Sequence, residues 1–151
     1  MNRIRPAYIL TGVLFFGSGC ADNKFSNYGS NYITPEQAVM AAARTESGIS
    51  GKFLMTVQAT GYDKGNLYLN SEKDYRDQRN LSIEIDQELI KTLEARLHEN
   101  PSTYYLNKRI EISGTALKVR IAFVVNGEIT DKYYFQTHID LENANSIRVI
   151  N

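Results

Sequence analysis

The residue types that build disulfide, metal and redox sites are scarce in this 151-residue chain. It has one cysteine, two histidines and no tryptophan, which excludes a disulfide framework and leaves few ligands for a metal site. Its 17 basic and 17 acidic residues cancel, so no global field attracts nucleic acid. We therefore predict no metal and no cofactor, and we disfavour nucleic acid as a partner.

Catalytic motifs are also missing. The sequence has no G-x-S-x-G nucleophile elbow, no S-x-x-K, no H-x-x-x-H and no glycine-rich phosphate loop. His98 and His138 stand alone, while Glu84 and Glu111 alternate with apolar residues as ordinary surface carboxylates do. We expect a protein without enzymatic activity.

Long apolar runs are limited to one, near the N-terminus. The uncharged segment 6–21 has sixteen residues, fewer than the roughly 20 that a membrane-spanning helix needs. Arg3 and Arg5 precede it, and small residues lead from it into Cys20. This order is typical of a secretory signal peptide. Removing residues 1–19 would leave 15 basic and 17 acidic residues in the mature chain.

The end of this segment, Ser18-Gly19-Cys20, resembles the lipobox of bacterial lipoproteins. The resemblance implies a signal peptide over 1–19, acylation of Cys20 and an exported, membrane-anchored protein that faces the periplasm. In a Gram-negative host, Ala21 after the cysteine implies the outer membrane. Gly17 departs from the aliphatic residue of that family, so ordinary cleavage to a soluble periplasmic or secreted protein is the alternative.

The mature chain divides into a short polar segment and one domain. Residues 20–32, rich in Asn, Ser and Gly, predict a lipidated flexible tether, and 33–151 predict a single domain. A capping box at Thr34 opens one helix, and Asp86 opens a second that ends at Asn100-Pro101. Period-two alternation predicts strands at Lys52–Thr60, Asn66–Asn70, Asn80–Asp86, Lys108–Val125, Lys132–Leu141 and Ser146–Ile150.

The parity of inward residues changes along the strand predicted at 108–125. Its first inward residues are even-numbered, Ile110 and Ile112, and its later ones are odd-numbered. One residue must be absorbed between the two sets, so we predict a bulge at 113–115. The later inward positions are Leu117, Val119, Ile121 and Phe123, faced on the next strand by Tyr133, Phe135, Thr137 and Ile139.

A helix between the third and fourth strands of a small bulged antiparallel unit resembles the OB-fold, a Greek-key barrel. The predicted fold is mainly β with two helices and an OB-fold-like barrel, and an open α+β sheet is the alternative. The segments YLNSEKDYRDQRNL and KYYFQTHI are also similar to a group of uncharacterised exported bacterial envelope proteins. That similarity assigns a role to none of the residues.

The charged loop 71–79 is the first candidate site. Tyr75 could stack on a ligand, and Arg76 or Arg79 could bind an anion. The preferred alternative is structural: the aspartates of the loop pair with its arginines and hold it in shape.

The outward face of the two long strands is the second candidate. Basic groups beside aromatic rings are how OB-folds hold single strands or sugars. The preferred alternative is a solvated barrel surface. The candidate residues are Lys118, Arg120, Tyr134 and His138.

Together these patterns predict a non-enzymatic cell-envelope lipoprotein. Its OB-like module would bind a protein, peptide or glycan partner, and the N-terminal lipid would bind the membrane. One alternative is a structural or assembly subunit of an envelope complex. The other is a nucleic-acid-binding OB domain.

Overall fold

A computed structural model describes residues 31–150 of the chain. The elements, in chain order, are α1 (Pro35–Ala42), β1 (Ile49–Thr56), β2 (Ala59–Asp63), β3 (Asn66–Asn70), β4 (Leu81–Ile85), α2 (Gln87–Leu97), α3 (Pro101–Tyr105), β5 (Arg109–Val125), β6 (Glu128–Asp140) and β7 (Ile147–Val149), with a 3-10 turn at Ala144–Ser146. The predicted fold class is confirmed: the chain is mainly β and OB-like.

The strands form one mixed sheet in the order β1-β5-β6-β4-β3-β2, and β7 pairs with β5. Its two outer strands, β1 and β2, are separated in the chain by Val57 and Gln58 alone. The Val57 amide donates to the Lys108 carbonyl and the Gln58 amide to the Asn70 carbonyl. The chain therefore joins the two ends of the strand order, which makes the arrangement barrel-like.

This junction corrects the single strand predicted over Lys52–Thr60. The alternation of inward and outward residues continues through Val57 and Gln58, but the pairing partner changes there from β5 to β3. The segment therefore forms two strands, β1 and β2. Counted as one bent strand, β1 and β2 give the OB-like order, with α2 before the fourth barrel strand.

Local capping positions the helices as the sequence predicts. Thr34 and Gln37 form the predicted capping box of α1, and the Asp86 carboxylate accepts from the Leu89 amide at the start of α2. The predicted end signal at Asn100-Pro101 is wrong in one respect, because Asn100 also caps a third helix, α3. Pro101 at its first position suits a helix start.

The core lies between the barrel strands and the helices, and predicted inward residues fill it. The fully buried side chains include Phe53, Leu67, Leu69, Leu81, Ile83, Ile85, Leu93, Ile110, Ile112 and Ile139. Where the chain enters the domain, Ile33 pairs with the backbone of β1 and the Tyr32 hydroxyl donates to Glu111. Tyr32, predicted as the last tether residue, therefore contacts the barrel.

The predicted bulge at 113–115 is wrong. β5 pairs with β1 in unbroken register from Arg109 to Ala116, and the irregularity lies between Ala122 and Val124. There Phe123 faces three residues of β6, because Ala122 pairs with Tyr133 and Val124 with Ile129. Even-numbered positions therefore stay inward as far as Ala116, which is fully buried.

Candidate functional site

Beyond the pair formed by Lys118 and Thr137, the last at which β6 also pairs with β4, β5 and β6 continue as a two-stranded hairpin. We call residues 117–136, which include this hairpin, the ribbon. Its nine β5 residues span about 30 Å at about 3.3 Å per residue. The ribbon, the loop 71–79 and α1 line a groove of about 1330 Å³. Five of the seven predicted ligand-binding residues line this groove: Tyr75, Arg76, Lys118, Tyr134 and His138. Arg120 lies on the ribbon outside its lining.

The loop 71–79 repeats one small motif, Asp-x-Arg. Asp74 accepts two side-chain hydrogen bonds from Arg76, at 3.1 and 3.2 Å, and Asp77 accepts two from Arg79, at 3.1 and 2.9 Å. These bonds lower the pKa of Asp74 and bring the pKa of Asp77 to about 2. Both arginines are thus engaged within the loop, which agrees with its structural interpretation.

Asn80 ties this loop to the barrel. Its side-chain amide donates to Asn70, Ser82 and the Tyr75 carbonyl, and its oxygen accepts from Ser71. Because Asn80 is buried, these bonds fix the loop backbone while the Tyr75 ring stays half exposed. Tyr75 is therefore presented at the rim of the groove.

The cations of the ribbon are arranged differently. The Arg120 guanidinium lies 4.1 Å from the centroid of the Tyr133 ring, and the Lys118 ammonium lies 5.1 Å from that of Phe135. Both cations are exposed, and neither forms an ion pair with any residue in 31–150. The ribbon therefore carries two neighbouring cation–aromatic pairs whose charges remain available to a ligand.

The predicted grouping of Lys118 and Arg120 with Tyr134 and His138 on one face is wrong. Lys118 pairs in register with Thr137 and Arg120 with Phe135, whereas Tyr134 and His138 pair with odd-numbered residues of β5. Residues paired directly across an antiparallel ladder share a face. The cations therefore lie on the face that continues the core, and Tyr134 and His138 lie on the opposite face.

Tyr133 and Phe135 are functional candidates that the sequence placed in the core. They do lie on the core-side face, but the barrel ends before they are covered, and 48% and 49% of their surfaces are exposed. Phe123, also predicted inward, is 48% exposed. The signal that could have found them is length: β6 has 13 residues and β4 only five, so part of β6 must extend past the barrel.

Comparison with known proteins gives structural neighbours only. No family model and no curated protein matches the chain. An aspartyl-tRNA synthetase from Entamoeba histolytica has 13% identity and a TM-score of 0.46 over 99% of this chain and 28% of its own. A protein assigned as an aspartyl-tRNA synthetase from Leishmania major Friedlin has 10% identity and a TM-score of 0.42 over 85% and 22%. This chain thus spans about a quarter of each neighbour's length.

These neighbours go against three sequence predictions. The expected module for a protein, peptide or glycan partner has no counterpart among them, and neither do the lipoprotein, periplasm and outer-membrane assignments. The expectation that nucleic acid is a disfavoured partner is wrong on the same ground. Its physical flaw is that net charge averages over the chain, whereas Lys118 and Arg120 form a local unpaired group. With TM-scores below 0.5, the likeness itself assigns no activity, and the function is argued below from side-chain geometry.

The predicted acylation site, Cys20, lies outside the described residues, as do the signal peptide and most of the tether. Acylation therefore stays a prediction. Between residues 31 and 150, no helix is both long and apolar enough to span a membrane.

Proposed function

We propose that this domain binds single-stranded nucleic acid along the core-side face of the ribbon. The observation that carries the proposal is the pair of adjacent cation–aromatic contacts, Arg120 on Tyr133 and Lys118 on Phe135. Exposed rings offer stacking platforms to bases of any sequence, and neighbouring cations attract phosphates. The proposed role is binding, without bond making or breaking.

The spacing of these groups favours an extended strand over a duplex. Tyr133 and Phe135 are two residues apart on β6, and so are Lys118 and Arg120 on β5, which separates equivalent groups by about 6.7 Å. The bases of a duplex stack about 3.4 Å apart along the axis, which leaves no room for a protein ring between them. Two consecutive nucleotides with splayed bases would therefore match the two rings and two cations.

The experiment is fluorescence anisotropy with labelled oligo-dT and oligo-U across a salt series. If two phosphates are contacted, the logarithm of the binding constant should fall with the logarithm of the salt concentration at a slope of about −1.4, because each contact in a single strand contributes about 0.7. Replacing both cations, Lys118→Gln with Arg120→Gln, should weaken binding and flatten the slope. The matched control is Lys64→Gln with Lys91→Gln, which removes the same charge from exposed residues outside the groove.

A second variant separates stacking from charge. Tyr133→Leu keeps an apolar side chain but removes the ring, and it should cost about 1–3 kcal/mol of binding free energy with the salt slope unchanged. Preference for duplex over single strands, or equal losses in the control pair and the ribbon pair, would refute the proposal.

A further inference from the structure

A chain of hydrogen bonds connects the loop 71–79 to the barrel through the ribbon face opposite the cations. The Gln136 amide nitrogen donates to the Tyr75 carbonyl at 3.2 Å and to the Tyr134 hydroxyl at 3.1 Å. Its amide oxygen lies 2.7 Å from Nε2 of His138, and Nδ1 of His138 lies 3.4 Å from Oε2 of Glu84. Two tyrosines that border the groove are thus positioned through one histidine.

Both ring nitrogens of His138 face acceptors. With its nitrogen committed to Tyr75 and Tyr134, the Gln136 amide can present only oxygen to Nε2. Glu84 presents a carboxylate oxygen to Nδ1. An imidazole whose two nitrogens both meet acceptors is fully satisfied only when both carry a proton. The arrangement is therefore that of the imidazolium.

A neutral ring can satisfy one side only. The contact at Nε2 is the shorter, at 2.7 Å against 3.4 Å at Nδ1, but Glu84 carries a full charge and is the stronger acceptor. We therefore infer that the remaining proton stays on Nδ1 and that Nε2 becomes an acceptor. Gln136 must then turn its amide to donate to Nε2, which brings its oxygen toward the Tyr75 carbonyl. Two carbonyl oxygens cannot share a hydrogen bond, so the loop loses this link. The Tyr134 hydroxyl can reverse roles and donate instead.

The surroundings of His138 act on its pKa in opposite directions. Glu84 of β4 and Asp140 of β6 favour the imidazolium, while burial of the ring, which is 6% exposed, outweighs them and lowers the pKa of His138. Tyr68 of β3 meets the ring edge-on at 5.8 Å, and burial together with Glu84 raises the pKa of Tyr68 to about 12, so it stays neutral. Tyr134 likewise has a raised pKa.

We propose that His138 is a pH-dependent positioning residue, whose imidazolium ties the loop 71–79 to β6 through Gln136 and whose neutral ring breaks that one link. Acidification thus adds a second hydrogen bond to the Tyr75 carbonyl, beside the one that Asn80 donates. The device depends on the network alone and holds whether or not the ribbon binds nucleic acid.

The test is NMR on the full chain between about pH 5 and pH 8, the range in which histidine titrates. Imidazole ¹⁵N shifts should show a proton on Nδ1 and none on Nε2 at the alkaline end. Amide protection factors at Asp77 and Asn80 should rise about two- to tenfold on acidification, the effect of one hydrogen bond. The pH midpoint of this rise in protection should equal the pH midpoint of the His138 ring titration.

Two variants complete the test. In Gln136→Leu the ring should still titrate while the loop amides stop responding, and in His98→Gln, which removes the other histidine, the response should persist. A proton on Nε2 of neutral His138, or a loop response that survives Gln136→Leu, would overturn the proposal. Normal amide dispersion elsewhere in Gln136→Leu confirms that it folds.

Discussion

The two halves of β5 have the same alternating pattern and opposite surroundings. From Arg109 to Ala116 the strand has β1 on one edge and β7 or β6 on the other, and its inward side chains are fully buried. From 117 to Val125 it has β6 alone, and its apolar side chains change from partly buried at Leu117 to about half exposed at Phe123, Val124 and Val125. One strand therefore serves as core in its first half and as exposed surface in its second.

The comparison teaches that alternation specifies a strand with two distinct faces but not what covers either face. A two-stranded hairpin is marginal in water without further packing. The bulge opposite Phe123, where the Thr130 hydroxyl donates to the Phe123 carbonyl, interrupts the free edge of β6. Bulges of this kind discourage edge-to-edge pairing with other chains. The ribbon can therefore stay exposed, and its side chains remain accessible to a ligand.

Native-state hydrogen exchange should show the largest difference between the two halves. Amides of Ile110 and Ile112 should exchange only through global unfolding, whereas those of 120–125 should exchange through local opening of much lower free energy. The measurement is exchange by NMR in increasing denaturant. Equal, denaturant-dependent exchange in both halves would mean that the ribbon is part of the cooperative core.

A matched pair of substitutions sharpens the comparison. Ile112→Ala empties a fully buried site and should cost about 2–5 kcal/mol of unfolding free energy. Ile129→Ala makes the same change on the ribbon, where the side chain is 77% exposed, and should stay within about 0.5 kcal/mol of the parent. Urea denaturation measures both, and similar losses would contradict the description of the ribbon.

A smaller effect is expected from a charge in the barrel half. Glu111, predicted as a surface carboxylate, is buried and accepts from Arg148 and Tyr32, each at 2.6 Å, with Lys52 at 3.6 Å. These bonds, Arg148 first, hold the pKa of Glu111 below its usual 4.5. Its contribution to stability is therefore complete above that value and is lost as pH falls through the lower, folded-state pKa.

Glu111→Gln tests this contribution. At neutral pH we expect a loss of about 1–3 kcal/mol, the range for buried hydrogen bonds to a charged group. The variant should also lose less stability than the parent when the pH drops below 4.5. Thermal unfolding across a pH series measures both effects, and parallel curves would show that another group governs the acid response.

Much of the barrel follows from local signals in the sequence. Thr34 and Asp86 predict where α1 and α2 begin, because their side-chain oxygens can accept a hydrogen bond from a free backbone amide of the first turn. Leu81, Ile83 and Ile85 predict an inward face because residues two apart in a strand point the same way. These rules involve only near neighbours in the chain. They fail at Val57, where the strand continues but its partner changes.

The residues of the candidate site were named from the sequence, but their grouping was wrong. Lys118 and Arg120 are exposed and Tyr134 is partly buried, and the false bulge assigned all three to one face. Tyr133 and Phe135 were assigned to the core because the sequence cannot show where the barrel stops. Register between β5 and β6 depends on pairing between distant segments, and a shift of one residue exchanges the faces.

The sequence by itself determined most of the strands, the N-caps of α1 and α2, the OB-like element order and the inward residues of the barrel. Each of these depends on chain geometry and on apolar burial at fixed periods. Only the tertiary structure decided that β5 and β6 extend past the end of the barrel. It also decided that Arg120 contacts Tyr133, that Lys118 contacts Phe135, and that His138 lies between two hydrogen-bond acceptors. Those outcomes depend on strand register and on where neighbouring strands end, which are properties of the assembled sheet.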